Sequence, residues 1–196
     1  MLHYFVLIGA AVDLLGASFY IRGTLQAKTK PNRVSWLIWS LGSMIASAAA
    51  LAQGVTWAVI PVFVSGAIPL MIFAASFVNP KSYWKLGIWD YACGAISALA
   101  LILWVLTKNP NAAIIFAIVG DVFAWIPTFA KSWKQPETES ASQHFSGLFN
   151  SFTTFAAVRF WSLSEIAFPI WLIVGNATLL LAIYRVKLTG RNSRIP

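Results

Sequence analysis

Seven apolar runs with only short polar connections between them limit what this chain can become. They cover Leu2 to Ile21, Ser35 to Ala52, Val55 to Phe77, Tyr91 to Leu106, Ala112 to Ala130, Gly147 to Leu163 and Ile166 to Tyr184. A helix crosses the hydrocarbon core with roughly 20 apolar residues at about 1.5 Å rise each. No remaining stretch is long enough for a soluble domain. With 59% hydrophobic and 10% charged residues, the chain has too little polar surface to cover a globule in water. The expectation is an all-α integral membrane protein of seven spans. Gln53-Gly54 and Ser164-Glu165 are read as tight connections of two helical hairpins.

The formal net charge of +8 does not point to nucleic acid, because the basic residues lie in short connections rather than along one helix face. Arg22, Lys28, Lys30, Arg33, Lys81, Lys85, Lys131, Lys134, Arg185, Lys187, Arg191 and Arg194 fall on one side of the predicted topology, and only Lys108 and Arg159 fall elsewhere. The positive-inside rule makes that side cytoplasmic and puts the N-terminus outside. A plasma or inner membrane is the expected location. Asp13 in mid-run and the absence of a basic leader make the first run a span rather than a cleaved signal. Cys93, the single cysteine, reads as a packing residue. Gly94 and Ala98 have the small-xxx-small spacing that lets a neighbouring helix approach.

Sliding the chain on itself by 108 residues superposes Asp13 on Asp121, Ser43 on Ser151 and Pro61 on Pro169. The expected plan is therefore a first triple-helix bundle (1–78), a linker helix with flanking loops (79–110), a second bundle (111–186) and a basic tail (187–196). A single intervening span gives both bundles one orientation, a parallel repeat about an axis along the membrane normal. The space between the bundles is the natural solute path. A rhodopsin-like bundle would need a mid-span lysine for retinal, which the seventh run lacks.

Ile126-Pro127-Thr128 followed by FAKSWKQPETESAS, and the 3+1+3 plan itself, resemble the PQ-loop superfamily of SWEET and SemiSWEET sugar transporters and their lysosomal amino-acid relatives. Thr128 stands where that family has Gln, and Phe19-Tyr20 stand where the first bundle would have Pro-Gln. KTKPNRVSW is similar to the family's basic loop, with Ser35 at the helix start. The final stretch from Val158 to Val186 is similar to the end of a SemiSWEET unit. The resemblance implies that Asn176 contacts sugar at the centre.

The two mid-span carboxylates are the strongest candidates for chemistry. Asp13 and Asp121 are placed roughly 13 to 15 Å below the outer surface. An ionised carboxylate there costs several kcal/mol unless it meets water or a cation, or takes up a proton. They either couple proton movement or hydrogen-bond neighbouring helices as structural glue. Asn176, Asn150, Ser151, Ser43 and Ser65 offer neutral donors and acceptors for a hydroxyl-rich or zwitterionic solute. Trp36, Trp39 and Trp161 could place an indole on a sugar's C–H face, although most tryptophans should form an interfacial belt. Arg159 either snorkels outward or pairs with Glu165 or Asp121 as an outer gate. Pro127 either hinges its helix or bends it statically. Pro61 and Pro169 are expected near helix starts, where proline fits without strain.

No phosphate-binding glycine loop, zinc-protease motif or cysteine pair occurs, so no cofactor or metal and no enzymatic activity is expected. Three functions remain open. The first is a facilitator of a small polar solute, foremost a sugar, by alternating access. The second is a proton-coupled carrier of an amino acid or similar metabolite. The third is a receptor or assembly subunit that transports nothing. The partners are the solute and the bilayer, without nucleic acid, and a homo-oligomer is open.

Overall fold

The computed structural model describes residues 2–107 and 109–189, without the side chains of 2, 101, 104, 105 and 186–189. Lys108, the Lys187 side chain, Arg191 and Arg194, and with them most of the predicted basic tail, lie outside the described residues. Seven α-helices follow one another: α1 Phe5–Leu25, α2 Arg33–Ala52, α3 Val59–Ala75, α4 Ile88–Thr107, α5 Pro110–Lys134, α6 Ala141–Thr153 and α7 Leu163–Thr189. No strand occurs among the described residues.

The starts of these helices are written locally. Asn32 accepts from the Val34 and Ser35 N–H groups to cap α2. Asn109 caps α5 and is followed by Pro110, whose missing N–H costs nothing in the first turn. The Ser140 side chain accepts from the Ser142 N–H at the start of α6.

Four helices are long and apolar enough to cross a membrane: Phe5–Leu25, Arg33–Ala52, Pro110–Lys134 and the Leu163–Arg185 part of α7. Val59–Ala75 and the Ile88–Ala100 part of α4 are shorter apolar stretches. Burial runs opposite to that of a water-soluble protein. Leu15, Phe19, Ile102 and Leu181 point outward, while Asp13, Ser43, Asn150 and Thr128 are buried. Such a distribution fits a protein whose surroundings are lipid, where polar groups must find partners inside.

Packing follows a regular scheme. α1 lies against α6 and α3, α2 against α3 and α5, α5 against α2 and α7, and α6 against α1 and α7. α4 packs on α5 and α2. The buried contacts are rich in alanine and glycine, which bring backbones close enough for dispersion and short hydrogen bonds. A Cβ at Gly94 would lie 2.6 Å from the Val34 side chain, so the expected close approach at Gly94 is present. One turn on, Ser97 Oγ donates to the Gly120 carbonyl at 2.7 Å. Gly16 performs the same service between α1 and α6, since a Cβ there would overlap the Ser146 side chain and come within 2.8 Å of the Ser142 carbonyl oxygen.

The sequence boundaries need correction at the sixth run. The helix there begins at Ala141, six residues before Gly147, and α-helix ends at Thr153 with a short 3-10 turn to Ala156. Residues 157–162 form the connection to α7, so Ser164-Glu165 is not a turn but part of the first turn of α7. Arg159 is consequently not in a helix. The connection between α2 and α3 is also longer than Gln53-Gly54 and occupies residues 53–58, with Gly54 at φ +80°. That left-handed conformation is the one glycine adopts without a steric penalty. Pro127 is inside α5, as expected; Pro169 lies in α7 beyond its first turn, and Pro69 adds a third internal proline, in α3.

Candidate functional site: a central polar cavity

Helical spacing aims one face of each of several helices at a common space. Trp36, Trp39 and Ser43 follow one another at three- and four-residue steps on α2, Asp121 and Trp125 at four on α5, and Trp171, Gly175 and Leu179 at four on α7. With Asp13, Ser65, Pro69, Gln143, His144, Gly147, Leu172 and Asn176 they line a cavity of about 60 Å³. Room for Asn176 comes from Gly147, where a Cβ would approach the Asn176 amide to 3.3 Å.

The two aspartates are equivalent in position but not in bonding. Asp13 is fully buried: Oδ1 accepts from Gln143 Nε2 at 2.8 Å and Ser146 Oγ at 3.1 Å, and Oδ2 from Asn150 Nδ2 at 2.9 Å. All three donors belong to α6, so this carboxylate ties α1 to α6. Asp121 Oδ2 accepts from Trp171 Nε1 at 2.6 Å, and its Oδ1 has no hydrogen-bond partner. Where Asn150 faces Asp13, Gly42 faces Asp121, and a Cβ at Gly42 would lie 3.4 Å from the free oxygen.

Other polar atoms of the lining are also unpartnered: Trp36 Nε1, Ser43 Oγ, Gln143 Oε1 and His144 Nε2. Buried polar groups are rarely left so, and water or a polar ligand in this space would satisfy them. Asn176 Nδ2 donates to the Leu172 carbonyl at 2.9 Å, which turns Oδ1 toward His144 Nδ1 at 3.3 Å. An amide oxygen only accepts, so Nδ1 carries the proton, and in the neutral ring Nε2 offers a lone pair to the cavity. The His144 ring is stacked on Trp36 with centroids 6.2 Å apart.

At the end of the molecule that gathers the basic connections, a buried network ties two of them together. Lys131 Nζ lies 2.9 Å from Glu139 Oε1 with both side chains fully buried, and also donates to the Lys30 carbonyl at 2.7 Å. Tyr20 Oη donates to Glu139 Oε2 at 2.5 Å, and the Lys30 N–H to the Thr138 carbonyl at 2.9 Å. This network joins α1 and the connection after it to α5 and the connection that follows. Nearby, Asn32 Nδ2 donates to Asp90 Oδ1 at 2.5 Å, and Ser82 Oγ to the Thr24 carbonyl.

Of the residues singled out in the sequence, Asp13, Asp121, Ser43, Ser65, Trp39 and Asn176 line the cavity. Asn150 and Ser151 do not. Asn150 is committed to Asp13, the Pro61 carbonyl and Ser65, while Ser151 Oγ turns back to the Gly147 carbonyl. Trp161 is exposed on the 157–162 connection. Of the alternatives for Arg159, side-chain pairing with Glu165 is not formed; the Glu165 carboxylate accepts the backbone N–H groups of Arg159 and Phe160 at 2.7 and 3.1 Å, and Arg159 is exposed.

Sequence reasoning passed over Trp125, Trp171, Gln143 and His144 as lining residues. Trp125 lies one turn beyond Asp121, a signal that was available. Trp171 is 50 positions from its carboxylate partner, and no local pattern links them. Among the described residues no three His, Cys, Asp or Glu side chains converge as metal ligands. No family model matches the chain, and comparison with curated proteins and with solved structures finds no match either.

Proposed function

We propose that this chain is a membrane transporter or facilitator that passes a small polar solute between two three-helix bundles, α1–α3 and α5–α7, joined by α4. The observation that carries the reading is the cavity between them, lined by unpartnered polar atoms. A structural core would satisfy those groups or replace them with apolar ones. The interlocked packing supports the 3+1+3 plan: α1 on α6 has its counterpart in α5 on α2, and α3 on α1 and α2 in α7 on α5 and α6.

In this reading the seven-helix bundle spans the membrane, with the N-terminus outside and the basic end in the cytoplasm. The Lys131–Glu139–Tyr20 network closes the cytoplasmic side and joins the two bundles, so opening inward requires breaking it. The PQ-loop and SWEET resemblance agrees with this architecture.

The test is access to the cavity from both sides. In a Cys93→Ala background, a cysteine at Ser65 should react with a membrane-impermeant thiol reagent applied to either face of right-side-out or inverted vesicles. Reaction from neither face, or from one face only, would refute alternating access.

A further inference from the structure

We infer that the solute carries a positively charged, alkyl-substituted nitrogen, held between the Asp121 carboxylate and the indoles around it. This rests on the transporter reading above and names its solute class.

The free oxygen of Asp121 is the starting point. The residue is 4% exposed, lies midway along α5, and lines the cavity with Oδ1 unpartnered. The other groups of the lining that can carry charge are Asp13 and His144; no lysine or arginine is among the described lining residues. Lys131 is held by Glu139. Although the whole chain is strongly basic, its centre is acidic and without a fixed counter-ion.

Asp13 needs no ligand, because its oxygens already have three donors. Asp121 has one donor, and the position that could supply a second is Gly42, which brings no side chain. A hydroxyl bonds the free oxygen but leaves an ionised carboxylate uncompensated in a medium where that is costly, and a proton removes the charge but leaves that side of the carboxyl group without a partner. A cation meets both needs.

The type of cation follows from the rest of the lining. A bare metal ion takes about six oxygen ligands, whereas Asp121 is accompanied by Trp36, Trp39, Trp125 and Trp171. Trp36 and Trp39 stand edge to face at 5.1 Å, and Trp125 and Trp171 do so at 6.4 Å. Indole faces attract substituted ammonium groups through their quadrupole and shelter the attached methyl or methylene groups. Ser43 Oγ and His144 Nε2, both unpartnered, remain for a polar group elsewhere on the same solute.

The experiment measures binding to the full chain in lipid nanodiscs, by calorimetry and tryptophan fluorescence, with choline, tetramethylammonium, lysine, glucose and 3,3-dimethylbutanol. The last is choline's shape with carbon in place of the charged nitrogen. At least one cation should bind ~10-fold or more tighter than 3,3-dimethylbutanol, and Asp121→Asn should weaken it about 30-fold. The comparison of isosteres uses the unmodified protein and stands even if the variant does not fold. Equal binding of choline and its isostere, an unchanged affinity in folded Asp121→Asn, binding of glucose alone, or binding of none of the compounds would each overturn the proposal. If no cation binds while the Ser65 cysteine is reached from both faces, the transporter reading survives and this one fails. If a cation binds while access stays one-sided, the solute class holds and the transporter reading fails.

Discussion

Lys131 and Glu139 form an ion pair at 2.9 Å with no exposed side-chain surface on either partner. Eight positions apart, they fold the connection after α5 back onto the end of its helix, and Tyr20 of α1 completes the carboxylate's shell. Removing one member leaves the other charged and buried, which typically costs about 3–5 kcal/mol. Glu139→Ala should therefore lower stability by that amount in a denaturant titration, and should speed labelling of a Ser65 cysteine from the basic end. Lys131→Met combined with Glu139→Met should recover most of the stability while keeping the faster labelling. A double variant as unstable as the single one would refute the pair as the closing element.

Asp13→Asn tests the seam between α1 and α6. The substitution replaces one acceptor by an NH2 group facing Asn150, and relief by turning the Asn150 amide sacrifices its bond to the Pro61 carbonyl. A loss of about 1–3 kcal/mol is expected in the same titration. An unaltered midpoint would show that the three hydrogen bonds contribute nothing net.

Gly16→Ala should separate α1 from α6. The added methyl meets the Ser146 side chain and the Ser142 carbonyl, and the carbonyl belongs to a helix backbone that moves only with the whole helix. Overpacking of this kind costs roughly 1–3 kcal/mol. Ser146→Ala added to Gly16→Ala relieves the side-chain overlap only, so thermal unfolding of the double variant should remain below that of Ser146→Ala alone.

Asn109→Ala supplies a contrast remote from the cavity. The Asn109 side chain accepts from the Asn111 and Ala112 N–H groups at the start of α5. Loss of an N-cap costs about 1 kcal/mol. Stability should fall by that amount with no change in labelling of the Ser65 cysteine from either face, and a change there would connect the start of α5 to the cavity.

The helical class, the central positions of Asp13 and Asp121 and the gathering of basic residues at one end were legible because each rests on composition along a single helix. The start of α6 was not. Gln143, His144 and Ser146 lower its hydropathy, so the apolar run appears to begin at Gly147; in the fold those side chains turn inward to Asp13 and the cavity. A local signal was present, since Ser140 followed by Gln143 has the spacing of a capping box. Arg159 misled for the opposite reason. Its apolar neighbours resemble a helix, but the Glu165 carboxylate fixes the backbone there as a connection. Partners such as Tyr20 with Glu139, 119 positions apart, follow from tertiary packing that no window along the sequence contains.

The difference between Asn150 and Gly42 divides labour between two helix seams. One seam is locked, with a carboxylate saturated by its neighbour and glycines that admit no further atom. Across the other, the carboxylate keeps a vacant valence opposite a residue with no side chain. Under the proposal above, a side chain at position 42 would reach the free oxygen of Asp121 and retune recognition there, without touching the joint between α1 and α6. Specificity and assembly can evolve separately in a chain of this size.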